Sequence, residues 1–189
     1  MQYRMHENIM GFSNKMFYEG KLESDVTVKD NLLSFDENDH LLNRPFEFID
    51  TAGSGYNEVQ NPESLSYSNP EEAELLLSHL QKVLEQYDSR SPAPPDPRRG
   101  NSQRTDEVKR DGSSSFGGKE ARVGQEPLRI GIIAPYKQQT EFIRNYILEN
   151  ELFKDSPHHF SVRTVDGFQG QERDIICISM TRSNDNGEI

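Results

Sequence analysis

The segment Thr164–Asp174 carries the densest set of side chains that could do chemistry. It contains a hydroxyl, three carboxylates, two glutamine side chains and two glycines within eleven residues. Glycines let the backbone approach a ligand closely, and ligands of open α/β sheets bind beyond the carboxyl ends of strands. From its residues alone, the segment fits either a ligand site or an ordinary polar turn between two strands.

Other strings of chemical interest precede it. Gln2–His6 reads Gln-Tyr-Arg-Met-His, and Ile132–Gln139 reads Ile-Ile-Ala-Pro-Tyr-Lys-Gln-Gln. Taken by itself, Arg4 fits a solvated arginine at a helix terminus better than a catalytic one. The order and spacing of all the strings together are more informative than any one of them.

Together these strings resemble motifs of superfamily 1 helicases, in the group that includes the nonsense-mediated-decay helicase and its bacterial relatives. Thr164–Asp174, followed by an apolar strand and Thr181–Asn184, is similar to motif V. Ile132–Gln139 resembles the motif IV strand and helix start, and Gln2–His6 resembles the family's Gln-Tyr-Arg-Met-His-Pro element. Glu7 stands where the family usually has proline.

The resemblance implies roles at a nucleotide site. Tyr3 would pack its ring against the adenine base, and Arg4 would reach the γ-phosphate as a catalytic residue. Glu172 would accept hydrogen bonds from the ribose hydroxyls, and Gly170 would keep the backbone close to the nucleotide. Gln169 would be a second catalytic residue that couples the nucleotide to the nucleic acid. The implied cofactors are ATP and Mg²⁺, with Mg²⁺ held mainly by a first RecA-like domain that the chain lacks.

The resemblance also implies a nucleic-acid interface. Thr164 would contact the phosphate backbone, with Pro135 and Tyr136 as further contacts. The implied partners are single-stranded DNA or RNA and the first RecA-like domain of the same helicase. We therefore expect the second motor domain of an ATP-dependent helicase, with one wall of the ATP site and part of the strand track.

Several expected motifs are missing from the sequence. It has no Gly-x-x-x-x-Gly-Lys-[Ser/Thr] phosphate loop and no acidic Mg²⁺-binding partner motif, and it ends at Ile189, where motif VI would still have to follow. We expect an incomplete motor domain that hydrolyses no ATP by itself. The alternative is a non-catalytic remnant that binds nucleic acid or a partner protein.

The elements that must position these residues alternate between strand and helix. This order predicts an α/β class with a mostly parallel sheet, and the resemblance implies a RecA-like three-layer sandwich. The apolar run Arg129–Pro135 is typical of a strand covered on both faces. The predicted helices are Tyr3–Tyr18, one starting at Asn69 and Pro70, and Lys137–Asn150; the other predicted strands are Phe46–Asp50, Phe160–Val165 and Asp174–Thr181.

Residues 88–126 differ from the rest in composition. They are rich in proline, serine and glycine and poor in apolar residues, so they cannot bury enough surface to offset their ordering entropy. We predict a disordered insertion there, between residues 1–87 and 127–189 of one motor domain. Apart from it, the resemblance covers nearly the whole chain.

Charge and composition restrict the other possibilities. The net charge of the 189 residues is −11, which argues against general nucleic-acid binding, but residues 1–87 carry −10 of it. A single cysteine, Cys177, excludes an internal disulfide, and no apolar run reaches the ~20 residues of a membrane span. We expect an intracellular protein of the cytoplasm or nucleus that contacts no membrane.

Two short strings mimic other sites. Asp50–Gly53 resembles the Asp-x-x-Gly element of small GTPases, but the upstream phosphate loop and the downstream base-reading motif are missing. His158 and His159 have no companion ligand at metal-binding spacing. We therefore expect a strand-ending turn at the first string, a solvated pair at the second and no metal site in the chain.

Overall fold

A computed structural model of the chain describes residues 1–36, 38–90 and 126–183. The described residues fall into two compact units, one of residues 1–50 with 83–90 and one of residues 51–82 with 126–183. The predicted insertion at 88–126 lies outside the described residues, apart from residues 88–90 and Glu126. Within the described ranges, no helix combines the length and apolarity needed to cross a bilayer.

The first unit opens with a loop and helix α1, Glu7–Phe17. The helix begins later than predicted because the Gln2 side chain holds the preceding residues in a turn. Its Oε1 accepts hydrogen bonds from the backbone N–H groups of Arg4 and Met5, at 2.8 and 3.0 Å. His6 then caps the helix, since its Nδ1 accepts from the N–H of Asn8 at 3.1 Å.

Glu7 is the first helical residue, the position at which proline is favoured in helices generally. Its N–H donates to the carbonyl of Lys29 at 3.2 Å, a bond that proline could not make. The Lys29 ammonium also lies 3.8 Å from the Glu7 carboxylate. The departure from the family pattern is therefore matched by a local contact.

The predicted strand Phe46–Asp50 is wrong: these residues form neither helix nor strand. Within the described part of the chain no strand pairs with them, and Phe46 and Phe48 are 65% and 73% exposed. An alternating aromatic pattern is not enough to form a strand when no neighbouring strand is available to pair with it.

The second unit starts with a short antiparallel hairpin, β1 (Val59–Gln60) and β2 (Tyr67–Ser68), which the sequence pattern did not predict. Helix α2, Pro70–Asp88, follows, with its last residues in the first unit. Its predicted start is confirmed: the Asn69 side chain accepts from the N–H of Glu72 at 3.1 Å, and Pro70 is the first helical residue.

The remaining elements build a parallel sheet and confirm the α/β class. They are β3 (Arg129–Ala134), α3 (Lys137–Glu149), α4 (Glu151–Lys154), β4 (His159–Thr164), α5 (Val165–Phe168) and β5 (Ile175–Ile178). The strand order is β4-β3-β5, and both pairings are parallel, as predicted. Strand β5 is shorter than the predicted strand Asp174–Thr181. The expected turn after β4 contains α5, a single helical turn.

The core of this unit lies between α3 and one face of the sheet. Ile130 and Ile132 of β3 and Ile143 and Ile147 of α3 are fully buried. The opposite face is covered over β3 but not over β5. Ile176, Ile178 and Met180 are 49%, 59% and 65% exposed.

Candidate nucleotide and nucleic-acid sites

The carboxyl ends of β3 and β4 lie side by side. Ala134 and Thr164 are paired in the sheet register, so Pro135 and Tyr136, which follow β3, leave the sheet beside Thr164. Parallel strands end at the same edge, where open α/β sheets bind ligands. The structure thus brings together the three residues predicted to contact nucleic acid.

Tyr136 is held in place by aromatic and polar contacts. Its ring meets the Tyr67 ring edge-on, with centroids 5.3 Å apart, and its hydroxyl accepts a hydrogen bond from Arg182 Nη1 at 3.4 Å. Tyr67 belongs to β2, so the unpredicted hairpin supports the residue that leaves β3.

Arg182 contacts several side chains at this edge of the sheet. Its Nε donates to Glu58 Oε2 at 2.8 Å, and its guanidinium carbon lies 4.4 Å from the centre of the Tyr67 ring. The Tyr136 hydroxyl and then Glu58 hold the pKa of Arg182 above its ordinary value. Arg182 stands in the string that resembles the end of motif V, but its partners could not be predicted from that string.

The backbone just before Arg182 is strained. Thr181 has φ 71°, which a β-branched residue rarely adopts, and it is fully buried. Its N–H donates to both carboxylate oxygens of Glu72, at 3.0 and 3.2 Å, and its carbonyl accepts from Asn69 Nδ2 at 3.4 Å. Surrounding bonds of this kind are what keep a strained residue in place.

The turn after α5 carries three of the predicted nucleotide-site residues. Gln169, Gly170 and Glu172 are all exposed, and Gly170 has φ 79°, the left-handed region that favours glycine. The predicted glycine therefore has a local conformational reason as well as the implied role.

Arg173, a residue that the sequence did not single out, fastens this turn to the sheet. Its Nε donates to Ser161 Oγ at 3.0 Å, its Nη1 donates to the carbonyl of Glu172 at 2.7 Å, and its guanidinium stacks over Phe168. Burial, followed by the positive charges of Arg129 and Arg163, lowers the pKa of Arg173 below its usual value. These bonds fix the backbone next to Glu172.

The Phe168 ring packs against β3 and holds the same turn on the sheet. A Cβ at Gly131, in the middle of β3, would lie 2.4 Å from the Phe168 ring, so the glycine makes room for it. Phe168 is only 6% exposed. The turn is thus seated on the sheet through one aromatic ring and one guanidinium.

Tyr3 and Arg4 lie in the first unit, on the loop that Gln2 organises. Gln2 donates to Ser24 Oγ and to the carbonyl of Met5, and its backbone pairs with residues 23–25. Both predicted residues are exposed, Tyr3 at 63%. Gln2 was present in the recognised string, but its structural part in presenting Tyr3 and Arg4 was not foreseen.

Among the described residues, no three or more His, Cys, Asp or Glu side chains are grouped so that they could hold a metal ion. His158 is buried and its Nδ1 accepts from the N–H of Leu128, whereas His159 is exposed, so the predicted solvated pair is wrong for His158.

Comparison with known proteins fits this geometry. A family model described as an AAA domain matches residues 1–189. The chain belongs to this AAA domain family. It is 31% identical, over 99% of its length, to an ATP-dependent helicase of Methanocaldococcus jannaschii that is called uncharacterized, and covers 22% of that protein.

Further relatives carry related names. The chain is 29% identical to a Regulator of nonsense transcripts 1 homolog of Neurospora crassa and 26% identical to the DNA-binding protein SMUBP-2 of Mus musculus. Each match spans the whole of this chain but only 14% and 15% of the relative. The chain is therefore a helicase-family domain that spans less than a quarter of the length of these relatives.

Proposed function

We propose that the chain is part of the second RecA-like motor domain of an ATP-dependent DNA or RNA helicase. The observation that carries the proposal is the shared edge at which β3 and β4 end, where Thr164 is paired with Ala134, the residue that precedes Pro135 and Tyr136. Single-stranded nucleic acid would cross this edge, with Thr164 donating to a backbone phosphate. Contacts to the backbone rather than the bases make such binding weakly dependent on sequence.

Tyr3 and Arg4 in the first unit, and separately Gly170 and Glu172 in the second, would each contact the nucleotide, and a first RecA-like domain of the same protein would complete its site. The exposed rings and charges at these positions support such a role, because a ligand can reach them. The guanidinium of Arg4 would stabilise charge that develops on the γ-phosphoryl group as water attacks it. Gln169 would couple the nucleotide to the strand.

Mg²⁺ would neutralise phosphate charge when it is bound with ATP. This domain would contribute base, ribose and phosphoryl contacts to catalysis. The metal ligands would belong to the first RecA-like domain.

Arg4→Ala in the complete helicase tests the nucleotide half of the proposal. We expect kcat for ATP hydrolysis to fall by about 10³-fold or more, as loss of an arginine finger does, with a smaller change in KM. The 189-residue chain alone should hydrolyse no ATP, since it would form one wall of the site.

Arg44→Ala serves as the matched control, because Arg44 is exposed in the same unit and pairs only loosely with Glu47, at 3.5 Å. An unchanged kcat for Arg4→Ala, or turnover by the isolated chain, would refute the assigned roles. Strand binding without any response to ATP in the complete protein would instead favour a non-catalytic binding module.

A further inference from the structure

A shallow cleft of about 290 Å³ opens beside the outer edge of β4. One wall is α3, with Lys137, Thr140 and Arg144, and the other is the end of β4 and the start of α5, with Arg163, Thr164 and Gly167. All of these residues belong to the second unit. Thr164, the predicted phosphate contact, therefore lies in the wall of a larger feature.

The cleft is strongly cationic, although the chain as a whole carries a net charge of −11. Three of its seven lining residues are lysine or arginine, and none is acidic. Within the part of the chain that the structure describes, neither Arg144 nor Arg163 pairs with a carboxylate. Lys137 lies 3.5 Å from Glu141, but its side chain is 81% exposed, so this pair neutralises little.

Arg144 has a structural role that leaves most of its donors available. Its Nη2 donates to the carbonyl of Val162 at 3.0 Å, which satisfies the outer edge of β4. A guanidinium has five N–H donors, so the rest of its planar face can still bind a phosphate. Arg163 makes no such bond within the described residues.

The chemistry of the cleft favours a phosphodiester backbone over a base. No aromatic side chain lines it, so it offers no stacking platform. It offers guanidinium groups, which bind phosphate oxygens in pairs, and a hydroxyl at Thr164. Lys137 and Arg144 are two turns apart on α3, about 10 Å along the helix axis. The positive charge of the cleft is therefore spread along α3 and is not confined to the surroundings of Thr164.

We propose that this cleft is a second backbone subsite, in which Arg144 and Arg163 each bind a phosphate of single-stranded nucleic acid near the one at Thr164. The inference rests on the proposed function, in which a nucleic-acid strand crosses the edge where β3 and β4 end. It adds that this strand runs along the outer edge of β4. Because only phosphates are contacted, DNA and RNA strands should use the subsite alike.

The test is the salt dependence of binding of a 20-nucleotide oligothymidylate and an oligouridylate to the 189-residue chain, followed by fluorescence anisotropy. Arg163→Gln and Arg144→Gln should each raise Kd several-fold for both strands and reduce the magnitude of the slope of log K against log salt by about 0.7, the value for one phosphate contact on a single strand. Lys154→Gln removes the same charge from the exposed surface of α4 and should change neither quantity. Arg144→Lys, which keeps the charge, should retain part of the binding.

The outcomes separate this inference from the proposed function. If Thr164→Val weakens binding but Arg163→Gln leaves both Kd and slope unchanged, the cleft is not a subsite and the strand track stands. If the wild-type chain binds neither strand, the proposed function fails and the subsite with it. If polyglutamate displaces the strands and responds more strongly to the arginine variants, the cleft is an acidic-peptide site and the proposal is overturned. Should Arg144→Gln lose its native circular dichroism spectrum, Arg163→Gln decides alone.

Discussion

Gly131 shows how one residue in a strand can serve a turn far along the chain. A methyl group there would stand 2.4 Å from the Phe168 ring and 3.1 Å from Arg173 Cγ, so both anchors of the turn would have to move. We expect Gly131→Ala to lower the free energy of unfolding by about 1–3 kcal/mol, the usual range for overpacking. Urea denaturation would measure this change.

Gly167→Ala is the matched control, because its new methyl group would meet nothing closer than 3.5 Å. We expect it to be close to neutral. Phe168→Leu in the Gly131→Ala background should recover part of the loss, since it removes the ring. Equal stability of Gly131→Ala and wild type would show that the ring moves without cost.

At this scale the sequence indicates which residues matter more readily than how they are held. Thr164, Pro135 and Tyr136 were singled out and do lie together, because the carboxyl ends of neighbouring parallel strands must meet. Arg173 and Arg182 were missed as structural residues because their partners are distant in the chain, such as Glu58 for Arg182. The roles assigned to Tyr3, Arg4, Gln169, Gly170 and Glu172 stay predictions.

A buried polar network joins the start of α2, the start of α3 and the end of β5. The Glu72 carboxylate accepts from Ser179 Oγ at 2.7 Å and from the N–H of Thr181, and Gln139 Nε2 donates to Ser179 Oγ at 2.9 Å and to the carbonyl of Asn69 at 3.1 Å. Four residues of the network are fully buried: Asn69, Gln139, Ser179 and Thr181. A network buried this deeply is costly to break.

Glu72→Gln should therefore destabilise the chain by about 1–3 kcal/mol, because an amide has one acceptor oxygen and leaves a buried donor unsatisfied. Glu71→Gln is the matched control, since Glu71 is exposed in the same first turn of α2 and the charge change is identical. Thermal unfolding of the two variants measures the difference. If they lose the same stability, charge near the helix start rather than the network is responsible.

Elements whose signal is local were predicted well. Asn69 and Pro70 start α2 as expected, and β3 covers all but the last residue of the predicted strand Arg129–Pro135, because caps and continuous apolar runs act over a few residues. Elements that depend on a distant partner were not. Phe46–Asp50 has a strand-like sequence pattern but forms no strand. Val59–Gln60 pairs with Tyr67–Ser68 although neither segment has an apolar run that would predict a strand.

At the scale of the whole molecule, net charge is a poor guide to local binding. Most of the −11 comes from residues 1–87, whereas the cleft beside β4 gathers three cations without an acidic lining residue. The acidic remainder would slow non-specific association with nucleic acid and leave the field inside the cleft positive.

Stability against alkaline pH should depend on Cys177. Cys177 is half-buried, but its surroundings desolvate the thiol and raise its pKa from 9.0 to about 12, so between these values the folded chain binds more protons than the unfolded chain. Stability from this group is complete below pH 9 and is lost as the pH rises towards 12. We expect the free energy of unfolding in urea to fall less steeply over this range in Cys177→Ala than in wild type.

The measurement compares slopes, so tyrosines and lysines that titrate in the same window contribute equally to both proteins. Labelling offers a second readout: the thiol should react with a disulfide reagent at pH 8.5 far more slowly in the native chain than in urea. Identical slopes together with fast native labelling would contradict a desolvated, protonated thiol.

The uncovered face of β5 has a consequence for the behaviour of the chain in solution. Three large apolar side chains, Ile176, Ile178 and Met180, form a ready contact for another molecule. At neutral pH the shared negative charge keeps copies apart, but near the isoelectric point of about 4.9 that repulsion vanishes. We therefore expect colloidal stability, and not folding alone, to set the lowest pH at which the chain stays in solution.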